Sequence, residues 1–219
     1  MTKQELAKYI DHTVLKADAT DAALKKLCAE AREYGFASVC VNPVRVREAK
    51  ALLEGSGVAV CTVVGFPLGQ NTVKVKGFEA LEAIENGASE VDYVLNVAKV
   101  KDGDWEYIRH EMAALTAICH SYDAHIKVIF ENCYLTKDEI VKCAEIAREV
   151  KPDFIKTSTG FGTGGATVED VKLMKDTVGD EVKVKAAGGI RDLSSALAMI
   201  DAGAERLGCS AGVKLVSEV

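Results

Sequence analysis

Val182-Lys183-Val184-Lys185-Ala186-Ala187-Gly188-Gly189-Ile190-Arg191-Asp192 runs through a period-two alternation, a glycine pair and a polar residue that opens the next segment. Val182, Val184 and Ala186 alternate with Lys183, Lys185 and Ala187, the pattern of a strand with two unlike faces. Residues 192–202 follow with helical spacing. Residues 167–178 precede with the same period, and Thr167 stands where a helix cap belongs. The unit recurs in both directions along the chain. Strands are predicted over 12–15, 37–41, 58–64, 90–95, 125–131, 153–157, 182–186 and 205–209. Helices are predicted over 21–34, 43–54, 72–87, 104–121, 136–150, 167–178 and 192–202, with a further short one over 2–10. Asp21, Thr136 (with Glu139 three residues on) and Thr167 supply start signals; Gly35, Gly87, Gly179 and Gly203 supply stops.

Eight strand–helix units of roughly 27 residues, with no linker between them, imply parallel strands covered by helices. An open doubly wound sheet would need G-x-G-x-x-G after its first strand, and that fingerprint is missing. The expected fold is α/β: a single (β/α)8 TIM barrel with a short extra N-terminal helix, residues 1–219 forming one catalytic domain.

Composition agrees. The 219 residues are 48% hydrophobic and 27% charged, enough apolar surface to offset ordering entropy. The longest apolar stretches, such as Val58 to Val64, are far too short for a membrane helix, which needs roughly 20 residues. The opening Met1-Thr2-Lys3-Gln4-Glu5 carries no apolar signal core. A net charge of −6 with no Lys/Arg cluster speaks against a nucleic-acid partner. Seven cysteines form no C-x-x-C, and four histidines form no H-x-x-x-H, so no metal site and no cofactor is expected. Cysteines inside apolar runs suit a reducing, cytoplasmic setting.

The alternation also sets strand faces. The helix-facing side of a barrel strand must be apolar. Val91, Tyr93 and Leu95 therefore face the helices, and Asp92, Val94 and Asn96 face the lumen. By the same logic Lys127, Ile129 and Glu131 point inward, as do Lys183, Lys185 and Ala187. With Ile155 outward, Phe154, Lys156 and Ser158 point inward. Four consecutive strands thus aim charge into a lumen where an unpaired charge costs several kcal/mol. A structural ion-pair network is one reading of that set, and it is strongest for Lys127, Glu131 and Lys183. Lys156, Lys185 and Asp92 read as chemistry, with both lysines near the carboxyl ends of their strands.

A free lysine is almost wholly protonated near neutrality, but desolvation and a second ammonium both disfavour the charged form. An activated amine attacks carbonyls and forms a Schiff base, an electron sink from which an enamine can attack a second aldehyde. Asp92 is placed to move protons. The constellation suggests a metal-free aldolase. Ala187-Gly188-Gly189-Ile190-Arg191-Asp192 and Leu207-Gly208-Cys209-Ser210-Ala211-Gly212 follow the last two strands, where barrels commonly bind phosphate on backbone amides. The loop from Ser158 through Thr159 and Gly160 to Thr167 reads either as a segment reaching over the same anion or as a mobile flap.

Asp153-Phe154-Ile155-Lys156-Thr157-Ser158-Thr159-Gly160, Lys185-Ala186-Ala187-Gly188-Gly189-Ile190-Arg191, Glu90-Val91-Asp92 and Ile10-Asp11-His12-Thr13-Val14-Leu15-Lys16 resemble the signatures of the deoxyribose-phosphate aldolase family. The resemblance spans residues 4 to 215. It implies a TIM-barrel class I aldolase that reversibly cleaves 2-deoxy-D-ribose 5-phosphate to D-glyceraldehyde 3-phosphate and acetaldehyde. It also implies a homo-oligomer whose partners are a sugar phosphate and aldehydes. By motif position Lys156 resembles the Schiff-base lysine, Lys185 its perturbing neighbour, and Asp92 the acid–base partner. Asp11 matches a supporting aspartate, with a cap or a solvent-facing strand-end carboxylate as the other reading. Thr159, Gly160, Gly188, Gly189, Gly208 and Ser210 match the substrate and phosphate loops. Ala211 departs from the pattern, since relatives often carry a second serine there. A phosphate-binding barrel isomerase, a transaldolase-like transferase and a non-catalytic sugar-phosphate binder are the alternatives; the two inward lysines set the aldolase apart from the isomerases.

Overall fold

In the computed structural model, which describes all residues 1–219, eight parallel strands close into a barrel in sequence order, β1 pairing with β8. The strands are β1 (Ile10–Val14), β2 (Ser38–Val41), β3 (Ala59–Val64), β4 (Glu90–Val94), β5 (His125–Ile129), β6 (Phe154–Lys156), β7 (Lys183–Ala187) and β8 (Arg206–Cys209). The helices are α1 (Lys3–Ala7), α2 (Asp21–Tyr34), α3 (Val46–Leu52), α4 (Val73–Glu85), α5 (Val97–Lys101), α6 (Trp105–His120), α7 (Lys137–Val150), α8 (Val168–Val178), α9 (Leu193–Asp201) and α10 (Gly212–Ser217). No helix is long and apolar enough to cross a membrane.

The predicted elements are present, most within two residues of their ends. Three differences have physical causes. The opening helix stops at Ala7 because Ile10 joins the ladder opposite Leu207, which lengthens β1 at its start and brings Asp11 into the barrel. The cap of α2 is Thr20, whose hydroxyl accepts from the Ala23 amide; Asp21 is the first helical residue and pairs with Arg45. Two short helices, α5 and α10, and a single turn at Asn132–Tyr134 fill segments too short to show a helical period, while the helix predicted over 43–54 opens as a single turn at Pro43–Arg45 before α3. Thr136 with Glu139 forms the reciprocal box at the start of α7, and Thr167 caps α8. Gly35 ends α2 at φ +67°, a conformation that suits glycine.

Strand faces follow the alternation. Val91, Tyr93, Ile126, Val128, Ile155, Val184 and Ala186 join the main apolar core between barrel and helices. Each fully buried Val or Ile among them is worth about 1.5–3 kcal/mol. A second, small apolar cluster of Leu15, Cys40, Cys61 and Val63 stands apart from that core, with Cys61 bonded to the inward Asp92. Phe154 lies buried beneath the lumen charges, with Lys127 Nζ, Lys183 Nζ and the Arg206 guanidinium 5.9, 5.6 and 5.2 Å from its ring centre. Lys183 has the inward parity but sits at the open lower mouth and is exposed.

Candidate active site

Four strands deliver the central cluster. β6 and β7 run in register, so Lys156 and Lys185 are Cα partners; Asp92 on β4 is the partner of Lys127 on β5. Asp92 Oδ2 accepts from Lys156 Nζ and from Lys185 Nζ, each at 2.8 Å. Its Oδ1 accepts from Lys127 Nζ at 2.8 Å and from the Cys61 thiol at 3.1 Å. Burial alone would raise the Asp92 carboxyl, but the Lys127, Lys156 and Lys185 ammoniums outweigh it and hold the group well below the usual carboxylate range. Asp11 Oδ1 accepts from Ser38 and from Arg206, both at 2.6 Å, and its Oδ2 pairs with Lys185. Despite complete burial, Asp11 too is held low, by Lys185, Lys127 and Arg206. Burial opposes the charge on Lys185, yet Asp11 and Asp92 overcome it, and the ammonium is more tightly protonated than a free lysine.

The lysines therefore differ in kind. Lys185 is fully buried between two carboxylates, whereas Lys156 forms part of the wall of a cavity of about 350 Å³ at the C-terminal mouth of the barrel. Of Lys156, Lys185, Asp92 and Asp11, only Lys156 lines it. Thr159, Gly160, Gly188, Gly189, Gly208 and Ser210 all line the same space. Gly188 and Gly189 sit at φ +86° and +84°, turning the chain between β7 and α9 in a way that side chains resist. Lys16 and Arg191 add two cations to the wall, with neither charged group in an ion pair within the chain.

The loop after β6 is bound down rather than loose. The Ala166 amide donates to the carbonyls of Ala187 and Gly188 at 3.0 Å each, and a Cβ on Gly165 would collide with the Gly188 carbonyl. The Thr159 amide donates to Glu131 at 3.1 Å, and its hydroxyl bonds the same carboxylate. Both Thr159 donors are therefore committed, and Thr159 shapes the wall without a free donor for an anion. Glu131, which faces inward as the alternation predicts, holds this loop instead of joining the lysines.

Sequence reasoning missed Glu90 and Arg206 as members of the site. Lys127 Nζ lies 2.6 Å from Glu90 Oε2, and Arg206 donates to both Glu90 oxygens at 3.2 Å. The parity that aims Asp92 inward also aims Glu90, and outward Leu207 leaves Arg206 inward, so the signal was present at both positions. The fold also gathers Cys40, Cys61 and Asp92 so that one ligand atom from each lies within 4.8 Å of the others, a grouping invisible in the spacing of the chain. Lys127 Nζ already fills the cationic place there, 3.4 Å from Cys61 Sγ and 2.8 Å from Asp92 Oδ1.

A closed barrel that carries a lysine–carboxylate cluster under a glycine-lined mouth has the build of a Schiff-base aldolase. The chain belongs to the DeoC/LacD family of aldolases, whose model matches residues 5–217. It is 57% identical over 214 residues to the deoxyribose-phosphate aldolase of Lactobacillus acidophilus, covering 98% of this chain and 90% of that one. It is 55% identical over 218 residues to the deoxyribose-phosphate aldolase of Thermococcus kodakarensis, covering 99% and 97%. The solved tetrameric deoxyribose phosphate aldolase of Aeropyrum pernix superposes with a TM-score of 0.93 at 33% identity, covering 99% of this chain and 92% of that one.

Proposed function

We propose that this aldolase reversibly cleaves 2-deoxy-D-ribose 5-phosphate into D-glyceraldehyde 3-phosphate and acetaldehyde through a Schiff base on Lys156. One observation carries the assignment: Lys156 is the member of the charge cluster that faces the cavity, and that cavity ends in the glycine loops of β7 and β8. In the cleavage direction the Lys156 amine adds to the C1 aldehyde of the open-chain sugar. The carbinolamine loses water with acid help, and the C3 hydroxyl then gives up its proton. The C2–C3 bond breaks, its electrons pass into the iminium, and glyceraldehyde phosphate leaves. The enamine takes a proton at C2, and hydrolysis returns acetaldehyde and the free amine. Asp92, with a water, moves these protons, while Lys185 supplies fixed positive charge and Asp11 anchors Lys185. The backbone of Gly188, Gly189, Gly208 and Ser210 receives the phosphate. With Ala211 in place of a hydroxyl, Lys16 and Arg191 add charge at the same wall.

Six of the seven free cysteines are buried, which accords with the cytoplasm. The Aeropyrum pernix aldolase is tetrameric, and here Val44 and Phe78 are exposed, which accords with assembly from identical copies. The test of the reaction is reductive trapping. Acetaldehyde with borohydride adds a two-carbon unit to the peptide that contains Lys156, and Lys156→Arg abolishes both labelling and turnover, since arginine stays protonated. Labelling chiefly at Lys185 or Lys183 refutes the assignment.

A further inference from the structure

Six charges of the lumen, five buried and Arg206 partly exposed, close on one another. Arg206 donates to Asp11, Asp11 faces Lys185, Lys185 donates to Asp92, Asp92 accepts from Lys127, Lys127 reaches Glu90, and Glu90 returns to Arg206. Carboxylates and cations alternate around this circuit, three of each, so its formal charge is zero. Lys156 is a seventh charge outside it. Its ionic partner is Asp92 Oδ2, which Lys185 already shares.

The geometry points to this closed, neutral ring as the device that keeps the Lys156 amine nucleophilic. Every carboxylate beneath Lys156 is already matched, so an ammonium there has no countercharge of its own. Lys127, Glu90 and Arg206 never reach the cavity; they are positioning residues that set the balance from below. The inference rests on the reading of Lys156 as the Schiff-base lysine.

The surroundings leave the count intact. β2 and β3 present Cys40 and Cys61, and β2 also presents the Ser38 hydroxyl, bonded to Asp11. Glu131 above is committed to Thr159, and Lys183 lies at the solvent-exposed lower mouth on the Phe154 ring. Burial opposes charge on Lys127, but Asp92, Glu90 and Asp11 prevail, and Arg206 is likewise held protonated by Asp11 and Glu90. A purely structural ion network would only need to pair its own members. This one pairs them without the residue that faces the substrate.

The test is the sign of a shift. Glu90→Gln leaves the ring one unit positive, and the acid limb of kcat/KM for the cleavage moves to lower pH. Lys127→Met leaves it one unit negative, and the limb moves to higher pH. Each displacement is about one pH unit or more for charges packed this closely. Arg206→Gln, from a partly exposed position, shifts the limb in the same direction as Lys127→Met. The double variant Glu90→Gln/Lys127→Met restores neutrality and returns the limb to the wild-type position. Folded single variants whose limbs stay put, or move the same way, overturn the inference. Should no single variant fold, the double variant decides it by the pH dependence of borohydride trapping: an unshifted profile supports the ring and a displaced one refutes it. Absence of label on Lys156 in the wild-type protein sinks the proposed reaction instead, so the two failures are distinguishable.

Discussion

Lys156 and Lys185 donate to one and the same oxygen, Oδ2 of Asp92, each at 2.8 Å. Both Nζ atoms therefore crowd one carboxylate oxygen, although β6 and β7 only bring the two residues into register. The consequence is a division of labour. Lys185 is pinned by Asp11 as well and keeps its proton, while Lys156 shares its partner and opens onto the cavity. Two equivalent inward lysines, the picture that alternation alone suggests, become one cation anchored between two carboxylates and one buried lysine on the cavity wall.

Asp92→Asn removes the negative charge that three ammoniums share. Turnover is expected to fall by about 10² or more, because both carbinolamine dehydration and enamine protonation lose their proton carrier. Steady-state kcat, with circular dichroism to confirm folding, checks it; full activity would make Asp92 a structural pairing group.

Acid stability follows from the same carboxylates. Asp92 and Asp11 titrate lower in the folded chain than the unfolded value of about 3.9. Below that value the unfolded state binds more protons than the folded one, so their stabilisation is present above about pH 4 and is lost as pH falls toward the folded values. Urea midpoints measured from pH 7 to pH 3 are expected to drop below pH 4. In Asp92→Asn the slope there is shallower by up to about 1.4 kcal/mol per pH unit, the share of one proton.

Gly165→Ala tests the seam between the loop after β6 and the phosphate turn. A methyl at this position meets the Gly188 carbonyl, so one of the two loops must move. The expected outcome is a loss in kcat/KM for the phosphorylated sugar of about tenfold or more. Non-phosphorylated 2-deoxyribose is affected much less. Equal losses for both substrates would show that the seam supports Lys156 rather than the phosphate.

Chelation is expected to leave activity unchanged. In the grouping of Cys40, Cys61 and Asp92, the Lys127 ammonium already bonds the Asp92 oxygen that a metal would need. Turnover in EDTA, before and after added zinc or manganese, checks this; activity lost on chelation and regained with the ion would assign a metal-dependent route.

The eightfold repeat and the strand faces are properties of the sequence itself. Val182, Val184 and Ala186 cannot face water while Lys183, Lys185 and Ala187 face the helices, so local alternation sets the parity of each strand and with it the inward aim of Asp92, Lys127, Lys156 and Lys185. The glycine turns after β7 and β8 were legible for the same reason, because they need only neighbours in the chain. Tertiary structure decided which inward charges meet. Asp11 appeared to be a strand-end carboxylate until β1 began at Ile10 and drew it beneath Lys185. Glu90 and Arg206, 116 residues apart, become partners only when β8 closes on β1. Glu131 shares the parity of Lys127, but it lies beyond the last residue of β5 at φ +56°, and that turn sends its carboxylate to Thr159. Alternation fixes a direction for each side chain; distance and countercharge depend on strand register and barrel closure, because pairing energies in a closed lumen are sums over residues far apart in the chain.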